Sequence, residues 1–91
     1  MDLKEEKLSR AIGAFSRRRI LRLLINKEMN VKDISDSLGL SVSLTSRHLK
    51  LLYDLGFLKV REEYPYKYYS LKIKKIRDLL ISYDKVLERL Q

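Results

Sequence analysis

Residues 31–60 read VKDISDSLGLSVSLTSRHLKLLYDLGFLKV, and the punctuation of this stretch decides the fold. Ile34 and Leu38 lie four apart on a short helix spanning Val31 to Leu38, and Gly39 stands where a helix C-terminus often needs positive φ. Ser41 is placed to cap a further helix from Val42 to Leu55, which Gly56 stops. Two helices meeting through Gly39-Leu40-Ser41 make a helix-turn-helix. Past Gly56 the period changes to alternation, in Phe57 to Arg61 and again in Tyr66 to Leu71, both rich in strand formers. Glu62-Glu63-Tyr64-Pro65 between them predicts a turn, because proline cannot donate to a sheet ladder. A hairpin directly behind the second helix of a helix-turn-helix is a wing.

Working toward the N-terminus, Leu8, Ala11, Ile12 and Phe15 recur at spacings of three and four, which predicts a first helix over Leu3 to Phe15. Ser16 is expected to cap a second helix, Arg17 to Ile25, with Ile20, Leu21, Leu24 and Ile25 on its apolar face, and Asn26 to Asn30 reads as a polar break. Toward the C-terminus, Ile73, Ile76, Leu80, Tyr83, Leu87 and Leu90 form a heptad-like stripe. Such a stripe either packs on its own domain or makes a dimer seam. The seam is the preferred reading, because Leu79, Ile81 and Val86 widen the apolar surface beyond what one small domain covers. The expected architecture is mainly α with a small β-hairpin: one winged helix-turn-helix domain over residues 1–91. Within it, 1–15 and 72–91 are dimerisation helices, 31–55 the helix-turn-helix and 57–71 the wing. Leu8, Ile12, Ile76, Leu80, Tyr83, Leu87 and Leu90 are the candidate dimer contacts.

A chain that is 45% hydrophobic and 35% charged is too apolar for disorder and too charged for a membrane protein. Its longest apolar runs, such as Leu23-Leu24-Ile25, fall far short of a bilayer span, and Asp2, Lys4, Glu5, Glu6 and Lys7 leave no apolar core for a secretory signal. The absence of cysteine excludes disulfides and thiolate metal sites, so a cytoplasmic location is expected. The net charge of +8 is concentrated in residues 16–61, which hold ten basic and four acidic groups. A field of that sign attracts polyanions.

Projected at 100° per residue, the helix from Val42 to Leu55 places Leu44, Thr45, His48, Leu49, Leu51, Leu52 and Leu55 on one arc. The other arc carries Val42, Ser43, Ser46, Arg47, Lys50 and Tyr53, with Asp54 near its edge. Small hydroxyl residues at the N-terminal end allow close approach to base edges in a major groove. Arg47 suits a bidentate contact to guanine and Lys50 a phosphate. Arg18 and Arg22 on the second helix, Lys32 on the third, and Lys59, Arg61 and Lys67 on the hairpin complete the candidate contacts to double-stranded DNA. The acidic Glu62 and Glu63 would meet a phosphate backbone unfavourably, so the hairpin is expected either to contact DNA through its flanks or to hold its tip away. His48, the only histidine, is expected to pack and hydrogen-bond rather than to bind a ligand, and Thr45 to return its hydroxyl to the preceding turn.

These residues resemble the ArsR-like winged-helix repressors over nearly the whole chain. The resemblance is carried by Ser16-Arg17-Arg18-Arg19-Ile20-Leu21, Val31-Lys32-Asp33-Ile34, Leu38-Gly39-Leu40-Ser41, Ser46 through Leu52, Gly56-Phe57-Leu58 and Tyr68-Tyr69-Ser70-Leu71. It implies a homodimer held by the first and last helices, a fourth helix in the major groove, and repression relieved by an effector. Where the metal-sensing branch has Cys-Val-Cys this chain has Asn30-Val31-Lys32, and its last helix has Asp78, Asp84 and Glu88 without histidine. No metal sensing and no cofactor are therefore expected. The chain also lacks a cysteine nucleophile and a glycine-rich phosphate loop, so catalysis is not expected. Two further readings stay open at this point: a sequence-neutral architectural DNA-binding protein, and a winged-helix module for protein contacts.

Overall fold

The computed structural model describes residues 3–91. Five helices and three short strands follow in the order α1 (Leu3–Ile12), α2 (Phe15–Leu23), β1 (Met29–Asn30), α3 (Val31–Leu38), α4 (Val42–Asp54), β2 (Leu58–Glu63), β3 (Tyr66–Leu71) and α5 (Ile76–Glu88). The winged helix-turn-helix expected from the sequence is the fold observed.

The junction of α1 and α2 departs from the expected one. The first helix stops at Ile12 rather than Phe15, and α2 begins at Phe15, with Ala14 rather than Ser16 at its N-cap. A Cβ on Gly13 would lie 2.5 Å from the Ser9 carbonyl oxygen, so the chain can close this tight only without a side chain there. Two arginines of α2 serve the end of α1. Arg17 Nε donates to the Arg10 carbonyl at 2.9 Å and an Arg18 guanidinium nitrogen to that of Ile12 at 2.6 Å, satisfying acceptors that a helix C-terminus leaves bare. Phe15, expected on the buried face, is exposed because the break at Gly13 resets the period.

The stretch expected to be only a polar break contains β1, which pairs antiparallel with β3 through Met29↔Tyr69 and Asn30↔Tyr68. The sheet order is β1-β3-β2, so the wing is a hairpin with a third strand along one edge. Asn30 ends β1 and also caps α3, its side chain accepting from the Asp33 N–H at 2.8 Å. Helices α3 and α4 both end in Schellman turns. Gly39 and Gly56 take φ of +68° and +95°, and Leu40 and Phe57 return their N–H groups to the carbonyls of Ser35 and Leu52.

Helix α2 is the hub, packing against α1, α3, α4 and α5. Ile20, Leu21, Leu24, Ile34, Leu49 and Leu52 form the centre of the core, and Leu58 and Leu71 close it from the sheet. The expected seam on α5 needs correction. Ile76 and Leu80 are only 3% and 2% exposed and lie in the core of their own chain, and Leu8 and Ile12 pack partly against it. The last helix is shorter than the expected 72–91, with Ile73 in the turn before it. Its outward apolar side chains are Leu79, Ile81, Val86 and Leu87, with Leu90 just beyond its end; Leu87 and Leu90 are from the expected set.

Gly13→Ala is expected to lower stability by about 1–3 kcal/mol, since its methyl meets backbone that cannot move without pulling α1 off α2. Urea unfolding followed by circular dichroism reads this as an earlier midpoint. An unchanged midpoint would mean that α1 tolerates displacement.

Candidate nucleic-acid interface

Helix α4 is divided as the periodicity requires. Thr45, Leu49 and Leu52 are fully buried, Leu44, His48, Leu51 and Leu55 half-buried, and Val42, Ser43, Ser46, Arg47, Lys50, Tyr53 and Asp54 exposed. Its first turn is built by Ser41, whose hydroxyl accepts from the Leu44 N–H at 3.0 Å and whose carbonyl accepts from the Thr45 hydroxyl at 2.8 Å. Among the described residues, Ser43, Ser46 and Arg47 have no hydrogen-bond or ion-pair partner within the chain, so their polar atoms point into solvent. Lys50 makes only an exposed pair with Asp54, four residues on, at 3.0 Å. Such pairs are weak and exchange readily for a phosphate.

The wing sorts its side chains by strand parity. The register Val60↔Tyr69 and Glu62↔Lys67 alternates with Lys59↔Ser70 and Arg61↔Tyr68. Val60, Tyr69, Glu62 and Lys67 face α4, where together with Lys50, Tyr53 and Asp54 they line a concavity of about 340 Å³. Lys59 and Arg61 lie on the opposite face, so the structure does not bring them to α4. Arg61 is clasped there: its guanidinium bonds Glu28 and Glu63 and stacks over Tyr68 with 4.6 Å to the ring centre. These carboxylates raise the Arg61 pKa further, and the Arg61 hydrogen bond holds the Glu28 carboxyl below its ordinary range. Glu63 is thus matched by Arg61, and Glu62 lies 3.8 Å from Lys67, so the hairpin tip is less acidic than its sequence. Tyr64, 98% exposed, leads that tip.

Arg18 and Arg22 are also engaged within the chain. Arg22 makes a forked pair with Asp84 on α5, at 2.6 and 3.3 Å, and both guanidinium groups lie over the Tyr83 ring. They clamp α2 to α5. Lys32 is exposed at the start of α3, paired with Asp36 at 3.1 Å. The sequence carries no signal for the Arg22–Asp84 pair, whose members stand 62 residues apart.

A family model described as "Bacterial regulatory protein, arsR family" matches residues 16–60. Among solved structures, M. tuberculosis Rv0081 is 31% identical, with a TM-score of 0.82 over 96% of this chain and 87% of that one. The transcriptional regulator HlyU from Vibrio vulnificus is 30% identical, with a TM-score of 0.79 over 91% and 86%. The chain belongs to the ArsR family. As an ArsR-family protein it is a DNA-binding transcriptional regulator. It is also similar to a homodimeric winged helix-turn-helix DNA-binding domain from Mycobacterium bovis, a possible ArsR-family regulator. That match is 25% identical, with a TM-score of 0.83 over 97% and 82% of the two chains. A search of curated proteins found no significant match. Among the described residues of this ArsR-family chain, no group of three or more His, Cys, Asp or Glu is placed to hold a metal, and no helix is long and apolar enough to cross a membrane.

His48 differs from its expectation in one respect. It is half-buried on α4 but has no hydrogen-bond partner within the described residues. Burial, then the charges of Arg17 and Arg47, push its pKa below the ordinary 6.5. The unfolded chain therefore binds more protons than the folded one from 6.5 down to the depressed folded value. Stability is expected to fall as pH drops through that window, and His48→Gln to flatten the slope. Urea midpoints of both proteins between about pH 7.5 and about pH 5.5 check this, and parallel curves would refute it.

Proposed function

We propose that this chain is a homodimeric, sequence-specific repressor of the cytoplasm that inserts α4 into the major groove and acts by binding rather than catalysis. The unpartnered outward arc of α4 carries the reading: Ser43, Ser46 and Arg47 project from a helix whose other side is anchored in the core. Val42 and the two serines approach base edges, Arg47 reads guanine, and Lys50, Lys32 and Lys67 hold phosphates. Arg18, Arg22, Lys59 and Arg61 are left out of this set, because their own chain occupies them or turns them away. The dimer is supported by the homodimeric M. bovis neighbour and by the exposed Val86 on α5 and Leu90 just beyond its end, 62% and 68% accessible. Two copies joined there would read half-sites about 34 Å apart, one turn of the duplex.

Selection of bound duplexes from a random pool should return a palindrome. Against it, Arg47→Ala is expected to cost about 1–3 kcal/mol and to relax preference at one base position, whereas Lys50→Ala weakens all duplexes alike. Wild-type affinity should fall about 10³- to 10⁵-fold between about 50 and about 200 mM salt, as for roughly 6–10 phosphate contacts. Equal affinity for every duplex would replace this reading with sequence-neutral coating of DNA. For the assembly, Val86→Glu with Leu90→Glu is expected to sediment as a folded monomer with much weaker operator binding. A dimer that survives both charges would put the interface elsewhere.

A further inference from the structure

On the far side of the wing from α4, a cleft of about 680 Å³ lies between the end of α2, the root of the hairpin and the start of α5. This volume lies within the range of small-ligand pockets. Five cations line it, Lys27, Lys59, Lys74, Lys75 and Arg77, against two carboxylates, Glu28 and Asp78. Both carboxylates have partners: Glu28 is held by Arg61 from outside the cleft, and Asp78 by Lys75. Among the described residues, Lys27, Lys59, Lys74 and Arg77 have no ion-pair partner. Four positive groups without an ion-pair contact therefore converge from three separate elements on one concavity, where Glu28 partly offsets Lys59.

Its floor is apolar, formed by Leu24, Ile25 and Leu71, and Ser70 adds a hydroxyl beside Lys59, its partner in the strand register. Like charges held together around a low-dielectric floor repel one another, and an anion seated among them relieves that repulsion. A duplex bound on α4 approaches the opposite face of the sheet, so the long DNA polyanion does not reach this cleft. Arg77 is about half a turn round α5 from Leu79 and Val86, so a dimer formed through those residues leaves the cleft open.

We propose that this cleft binds a small, multiply charged phosphorylated molecule, whose phosphates engage Lys59, Lys74 and Arg77 and whose less polar part rests on the partly exposed Ile25. The walls belong to the wing and to the helix that carries the outward apolar side chains. A ligand bridging them fixes the angle between the two, and by linkage its binding and that of DNA alter each other. The site itself does not depend on how α4 reads DNA, and it is tested without DNA.

The test titrates inorganic tripolyphosphate, and separately ATP, into the wild-type protein and into the Lys59→Gln/Lys74→Gln/Arg77→Gln variant at about 0.15 M salt, followed by calorimetry. Saturable binding near one ligand per chain is expected for wild type, about tenfold or more weaker in the variant, with ATP tighter than tripolyphosphate because of the apolar floor. An Arg47→Ala/Lys50→Ala protein should bind both probes as wild type does. The three substituted side chains are exposed, and circular dichroism checks that the variant is folded. Equal binding by variant and wild type, or loss of binding in the α4 protein, would overturn the proposal. So would a variant whose operator affinity alone drops about tenfold or more, since the cleft would then be a phosphate contact for DNA.

Discussion

Helix α4 is pressed by Thr45, Leu49 and Leu52 into the angle between α2, α3 and the root of β2, and none of these three side chains retains contact with water. Burying a leucine completely is worth about 1.5–3 kcal/mol against a typical domain stability of about 5–15 kcal/mol, so these two are a large share of what a chain this small can spend. The same burial fixes the rotation of the helix about its axis. Once the leucines are seated, Ser43, Ser46 and Arg47 have no direction left but outward. Folding and the recognition proposed for α4 are therefore two faces of one constraint, and a change that rotates the helix would damage both.

Charge is used in two ways. The guanidinium groups of Arg17, Arg18, Arg22 and Arg61 hold the molecule together, finishing a helix end, clamping α2 to α5, and tying the wing to the β1 segment through Glu28. Arg47 stays free of any partner among the described residues. Arginine suits the scaffolding task, and the reading proposed for Arg47, because its planar fork meets two acceptors at once, whether these are carboxylate oxygens or a guanine edge. The excess of basic residues is thus not a uniform coat. Part of it is internal scaffolding, part faces outward on α4, and part surrounds the cleft behind the wing.

The elements written in short-range signals were legible from the sequence. Gly39, Ser41 and Gly56 act on backbone within five residues of themselves, so the bounds of α3 and α4 were read to within a residue. The arc of α4 followed from the helical period alone. What escaped depends on partners far away in the chain. Strand β1 is two residues whose pairing appears only when Tyr68 and Tyr69 arrive about forty positions later, and nothing near Arg22 announces Asp84. Lys59, Arg61 and Lys67 look alike as wing cations, but strand parity sends the first two to one face and the third to the other. The heptad stripe on the last segment was real, yet periodicity cannot say which side of an apolar helix its own domain will cover. Ile76 and Leu80 went inward, which left Val86 and Leu90 outside.

The stack of Arg18 and Arg22 on Tyr83, locked by Asp84, makes a rigid strut between the last helix and the hub that carries α4. In a pair of molecules joined along the outer side of that last helix, the strut sets the reach from one reading head to the other. On the proposed mode of binding, a caliper of this kind would measure the spacing between two grooves as well as read their bases. One added base pair would turn the second groove by about a tenth of a revolution, out of line with a head held at that reach.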